Sequence, residues 1–200
     1  MRLRSPPAAL LAIVLRAAAV VPGPARADDP PATTETPAAA GPAALPRLRR
    51  VAIADTGAAA YLPGVPEWSS STGEDGARTV SGTVVVDDIG AGVLAVRFKA
   101  PLAQADEAAL EALLIRYLEH LAANVFELTE QVPPGRGHRL ASHPAAQGVV
   151  LIGRDGDGTE FWIKGWIDAG GIGISYVFAD TMPVISWTEA VLQGFRFPGD

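Results

Sequence analysis

The chain contains no cysteine. That absence excludes disulfides, lipid attachment at a cysteine, thiol catalysis and thiolate metal sites. Histidine is almost as scarce, occurring only as His120, His138 and His143, so imidazole chemistry has few places to form. There is no G-x-S-x-G nucleophile elbow, no G-x-x-x-x-G-K-[ST] phosphate loop and no G-x-G-x-x-G fingerprint. Long apolar runs are missing too. The one near the start, Ala8 to Leu15, is broken off by Arg16 and by prolines at 22 and 24, and is too short to span a bilayer.

What that first segment does carry is the pattern of a secretory signal peptide. Arg2 and Arg4 make a basic start, the apolar run follows, and Ala25-Arg26-Ala27 is an A-x-A cleavage site. Cleavage after residue 27 removes four of the 16 basic side chains and none of the 22 acidic ones, leaving 12 against 22, a net charge of −10. An acidic mature chain lacks the basic face that nucleic acid requires, and it is repelled by anionic lipid. The expectation is an exported protein, periplasmic or extracellular, with no membrane insertion after signal cleavage and no nucleic-acid partner. Without disulfides, such a domain depends on its core alone, and about 150 residues suffice for one.

Residues 28–50 are rich in Pro, Ala and Thr, the composition of a disordered, extended tether, and a single α+β domain is expected over 51–200. Within it, Val51 to Ile53 reads as a short strand, and Tyr61 to Trp68 as a rigid loop set by Pro63 and Pro66, with Trp68 pinning it to the core. Ser69 to Gly76 reads as a polar connection. Thr83 to Val86 and Val93 to Phe98 are strands separated by a Gly-rich turn that holds Asp87 and Asp88. From about Gln104 to Thr129, apolar residues Leu110, Leu113, Leu114, Tyr117, Leu118, Leu121, Val125 and Leu128 recur at helical spacing. Asp106 and Glu107 suit the positive end of that helix. Ser186-Trp187-Thr188-Glu189 has the spacing of a capping box opening a short helix that ends at Gly194.

The most regular part of the chain is a three-strand meander, with strands at Val149–Ile152, Thr159–Asp168 and Ile172–Ala179. Its turns are Asp155-Gly156-Asp157-Gly158 and Gly170-Gly171. A two-residue turn at Gly170-Gly171 pairs Ile167 with Ile174, Gly165 with Tyr176 and Ile163 with Phe178, all on one apolar face. The opposite face carries Trp162, Lys164 and Trp166. Two readings of it stay open. Either a helix covers the indoles while the lysine reaches water along its edge, or the three residues form an aromatic-cationic surface that binds a partner.

The order of elements is a Pro-and-Trp loop, a hairpin, a long helix, a meander, and a terminal helix ending in Gly194-Phe195-Arg196-Phe197. Over Tyr61 to Phe197 this order resembles the PsbP-like fold family. The resemblance implies an antiparallel β-sheet flanked by helices, an α/β/α sandwich, and mostly non-catalytic roles in binding or assembly. It carries over no functional residue.

Candidate chemistry is sparse. His138 and His143 lie five apart in a polar loop at 135–148, without the H-E-x-x-H spacing that places two ligands on one helical face. His120 flanks the apolar stripe of the long helix. Asp155 and Asp157 share the start of a calcium-loop pattern, but the later ligand positions are apolar and a hairpin turn accounts for the glycines. No metal and no cofactor is expected. The leading expectation is a non-enzymatic binding or assembly module of the cell envelope. It would engage another envelope or extracellular protein through Trp162, Lys164 and Trp166. The alternative is a small hydrolase or a small-ligand or metal-binding protein in which His138, His143 and Asp180 converge.

Overall fold

A computed structural model describes residues 45–200. The expected signal peptide at 1–27 and most of the expected linker at 28–50 lie outside the described residues. The end of that linker belongs to the folded part: Leu45 and Leu48 pack against the core, and Trp187 Nε1 donates to the Pro46 carbonyl at 2.8 Å.

Two strands, β1 (Arg49–Ala52) and β2 (Ala59–Leu62), form an antiparallel ribbon. The Tyr61 to Trp68 segment thus begins as strand, with Tyr61 and Leu62 in β2, and is loop from Pro63 onward. Next come β3 (Ser69–Thr72), β4 (Arg78–Val86) and β5 (Ile89–Arg97), then α1 (Glu107–Asn124), β6 (Leu128–Gln131) and β7 (Gly135–Arg136). The chain closes with β8 (Gln147–Asp155), β9 (Glu160–Ile167), β10 (Gly171–Ala179) and α2 (Ile185–Leu192). Strands β3 to β10 form one antiparallel sheet in the order β3-β4-β5-β10-β9-β8-β6, with β7 also on β8. The protein is of the α+β class, mostly antiparallel sheet with two helices.

Side chains alternate across this sheet and divide the core in two. One face presents Leu94, Val149, Leu151, Ile163, Ile167, Ile174 and Tyr176 to the α1 residues Leu110, Leu114, Leu118 and Leu121. The other presents Val80, Val93, Ala95, Trp166 and Val177 to Trp187, Val191 and Leu192 of α2, to Ala60 and Leu62 of the ribbon, and to Phe195 and Phe197. Helix α1 starts where Asp106 accepts from the Ala109 N–H at 2.8 Å, an N-cap.

The β9–β10 register differs from expectation by two residues. The turn is centred on Ala169-Gly170, because the Asp168 carboxylate accepts from the Gly170 and Gly171 N–H groups at 2.7 and 2.9 Å and fixes an Asx turn one residue earlier. Ile167 therefore faces Ile172, Gly165 faces Ile174 and Ile163 faces Tyr176. A shift of two leaves every side chain on its expected face. Tyr176 does not lie over Gly165. It lies over Gly92 of β5, where a Cβ would collide with the ring, while Gly165 admits Leu114 and Leu118 of α1.

Three other boundaries move. Helix α1 ends at Asn124, not near Thr129. Glu127 takes a positive φ of 51°, which breaks the helix, and Leu128 continues the apolar stripe from a strand. Ser69 to Thr72 is an edge strand rather than a connection. The α2 N-cap is Val184, with no side-chain hydrogen bond, so Ser186 and Glu189 form no capping box.

Candidate functional site

Trp162, Lys164 and Trp166 alternate along β9 and project from the face that α2 covers. Trp166 is 1 % exposed. Its ring stacks on Phe195 with centroids 6.3 Å apart, and Nε1 donates to the His138 carbonyl at 3.1 Å. The Lys164 side chain is only 10 % exposed, and Nζ donates to Glu189 Oε2 at 2.6 Å. Burial pushes the Glu189 carboxyl up, but the hydrogen bonds from Lys164 and Gln193 outweigh it and hold the group below its ordinary value. Both Trp166 and Lys164 are parts of the packed interior and offer no surface. Two of the three expected patch residues are therefore covered, Trp166 by Phe195 and the His138 loop and Lys164 by Glu189 of α2, so the lysine ends on a carboxylate instead of reaching water.

Trp162 is different. It is half-buried, and Nε1 donates to Glu160 Oε1 at 2.6 Å. Its register partner is Val177, near the end of β10, and from there the chain runs through Met182 into α2. Met182 and Ile89 are also partly buried against the same core, and Val184 and Ile185 are 61 % and 65 % exposed. Ile89 opens β5 beside the end of β10. These apolar residues lie toward the same end of the sheet as the indole.

The histidine loop brings together a different set from the one expected. His143 is held between two carboxylates, with Nε2 3.0 Å from Asp168 Oδ2 and Nδ1 3.1 Å from Asp200 Oδ1. Nδ1 is within hydrogen-bond geometry of Asp200, and Nε2 lies within ion-pair distance of Asp168. Asp200 also accepts from the Ser142 hydroxyl at 3.1 Å and the Phe197 N–H at 3.0 Å, and its side chain is 7 % exposed. Burial pushes the Asp200 carboxyl up, but these donors, His143 first, outweigh it and lower it overall. His138 and Asp180 stand apart. His138 contributes its backbone carbonyl, and Asp180 accepts from Thr159 Oγ1 at 3.3 Å.

This cluster ties the 137–146 loop to the β9–β10 turn and to the chain end. Both ring nitrogens of His143 are turned toward carboxylates rather than toward an open pocket. Replacing His143 by Ala leaves two carboxylates facing each other, and is expected to lower stability by about 1 kcal/mol in urea unfolding, given the partly open setting. Asp155, the head of the calcium-like pattern, spends Oδ1 on the Asp157 and Thr159 N–H groups at 3.0 and 2.9 Å. Among the described residues no three His, Asp or Glu side chains group so as to hold a metal ion, and no helix is long and apolar enough to cross a membrane.

Three participants escape the sequence reading: Glu189, Asp168 and Asp200. Asp168 does leave a trace, since an Asp shortly before Gly-Gly is an Asx-turn signal. Nothing local marks Asp200 as the partner of a histidine 57 residues away. No protein-family model matches the chain, and no curated protein matches it.

Proposed function

We propose that this chain is an exported, non-enzymatic binding module of the cell envelope, built as a PsbP-like α/β/α sandwich. It engages another envelope or extracellular protein through the rim around Trp162. The observation that carries this reading is the half-buried indole of Trp162 at the same end of the sheet as exposed Val184 and Ile185. Aromatic residues seated on a packed base are the usual anchors of protein interfaces, and exposed aliphatic neighbours supply the apolar area around them. The signal-peptide pattern and the Pro/Ala tether support the location. Against the hydrolase alternative, His143 lies between two carboxylates and apart from His138 and Asp180.

The test is affinity capture from the native envelope, followed by binding of the purified captured protein to the purified chain. Trp162→Ser with Ile185→Ser is expected to weaken that binding about tenfold or more. Val85→Ser, at an exposed valine on the opposite face, leaves it intact. A double variant that binds like the parent would remove the rim from consideration.

A further inference from the structure

A second feature lies at the other end of the sheet, where β5 ends and β10 begins. There a cavity of about 240 Å³ opens between the sheet and the chain end, walled by Ala95, Ile172, Phe195, Phe197 and Pro198. Arg97 and Asp168 line it as well. The two differ in how far they are already committed. Asp168 accepts from two backbone N–H groups and lies 3.0 Å from His143 Nε2. Arg97 is exposed and, among the described residues, has no ion-pair or hydrogen-bond partner, whereas its cross-strand neighbour Arg78 is neutralised by Asp55 at 2.7 Å.

The geometry points to a binding site for a small apolar monocarboxylate, with its carboxylate on Arg97 and its body in the cavity. The planar guanidinium matches a carboxylate through two parallel hydrogen bonds. Asp168 also lines the cavity and repels negative charge, so the single carboxylate has to sit on the Arg97 side, and a dianion is disfavoured further. The size agrees: an apolar cavity of about 150 Å³ accommodates benzene, so this one has room for a phenyl ring with a short acid arm. The site stands on residues distant from the Trp162 rim and does not depend on that proposal.

The experiment is an NMR titration of the purified full chain with phenylacetate, and in parallel with phenethylamine, the same body with the opposite charge. Phenylacetate is expected to saturate and to shift the amides of Ile172 and Phe195, with phenethylamine at least about tenfold weaker. Arg97→Gln, an exposed change that the fold tolerates, is expected to weaken phenylacetate about ten- to a hundredfold, the range of one charge-assisted hydrogen-bonded pair. Lys99→Gln, a nearby cation outside the cavity lining, leaves it unchanged. The proposal is overturned by no saturation at millimolar phenylacetate in the folded parent, by equal binding of the amine, or by an Arg97→Gln chain that binds like the parent.

Discussion

Replacing Trp166 by alanine is expected to lower stability by about 3–5 kcal/mol, the range for removing a large buried aromatic side chain. The indole is 1 % exposed, stacks on Phe195, and satisfies the His138 carbonyl through Nε1. Its loss therefore opens a cavity between β9 and the chain end and strips a carbonyl of its partner. A loss of that size consumes much of the roughly 5–15 kcal/mol available to a single domain. It should lower the midpoint of thermal unfolding by roughly 8–16 °C. Urea unfolding checks it, and the midpoint should fall while the slope stays constant. Trp162→Ser, four residues away on the same strand face, should cost far less, because that ring is half in water already. The contrast separates the two indoles: one is core and the other is available to a partner. Equal losses for the two would mean that α2 covers Trp162 as fully as Trp166, and the proposed rim would go with it.

The sequence reads well wherever a pattern is a physical requirement and poorly where a tertiary partner decides. The β8–β10 meander shows because its alternation must match a two-sided core, so the faces of Ile163, Gly165, Ile167, Trp162, Lys164 and Trp166 follow from the letters. The register between β9 and β10 does not, since a shift of two residues preserves both faces and the choice falls to one Asp168 carboxylate. Leu128 continues the helical stripe by coincidence of spacing, and no glycine or proline marks the true end at Asn124. Ser69 to Thr72 carries no apolar signal, because an edge strand with solvent beside it needs none. The Trp162 end of the site was legible as an aromatic on a strand. The His143 cluster was not, since its carboxylates lie 25 and 57 residues away and meet it only through the turn and the chain end.

Glu189 is the residue for which sequence and structure assign different work, and one variant series distinguishes them. Its spacing from Ser186 is that of a capping box, yet its carboxylate accepts from Lys164 Nζ on β9, at 2.6 Å. Glu189→Ala leaves an ammonium group buried without its acceptor. Removing one partner of a buried pair costs several kcal/mol. With the Glu189 side chain itself 37 % exposed, solvent screening trims this to about 2 kcal/mol at neutral pH. The pH dependence has a definite sign. The Glu189 carboxyl is lowered from 4.5 in the folded chain, so its contribution is complete above the unfolded value and is lost as the pH falls through the folded one. The gap between parent and Glu189→Ala should therefore be constant from pH 6 to 8 and narrow below about 4.5. Lys164→Met then decides the mechanism. If the loss comes from a stranded charge, adding Lys164→Met to Glu189→Ala restores most of it, because a buried pair replaced by apolar side chains is close to neutral. If Glu189 acts by capping α2, the lysine is irrelevant and the double variant stays as weak as Glu189→Ala. Rescue is the expected result, since Val184 is the N-cap and α2 has no side-chain cap to lose.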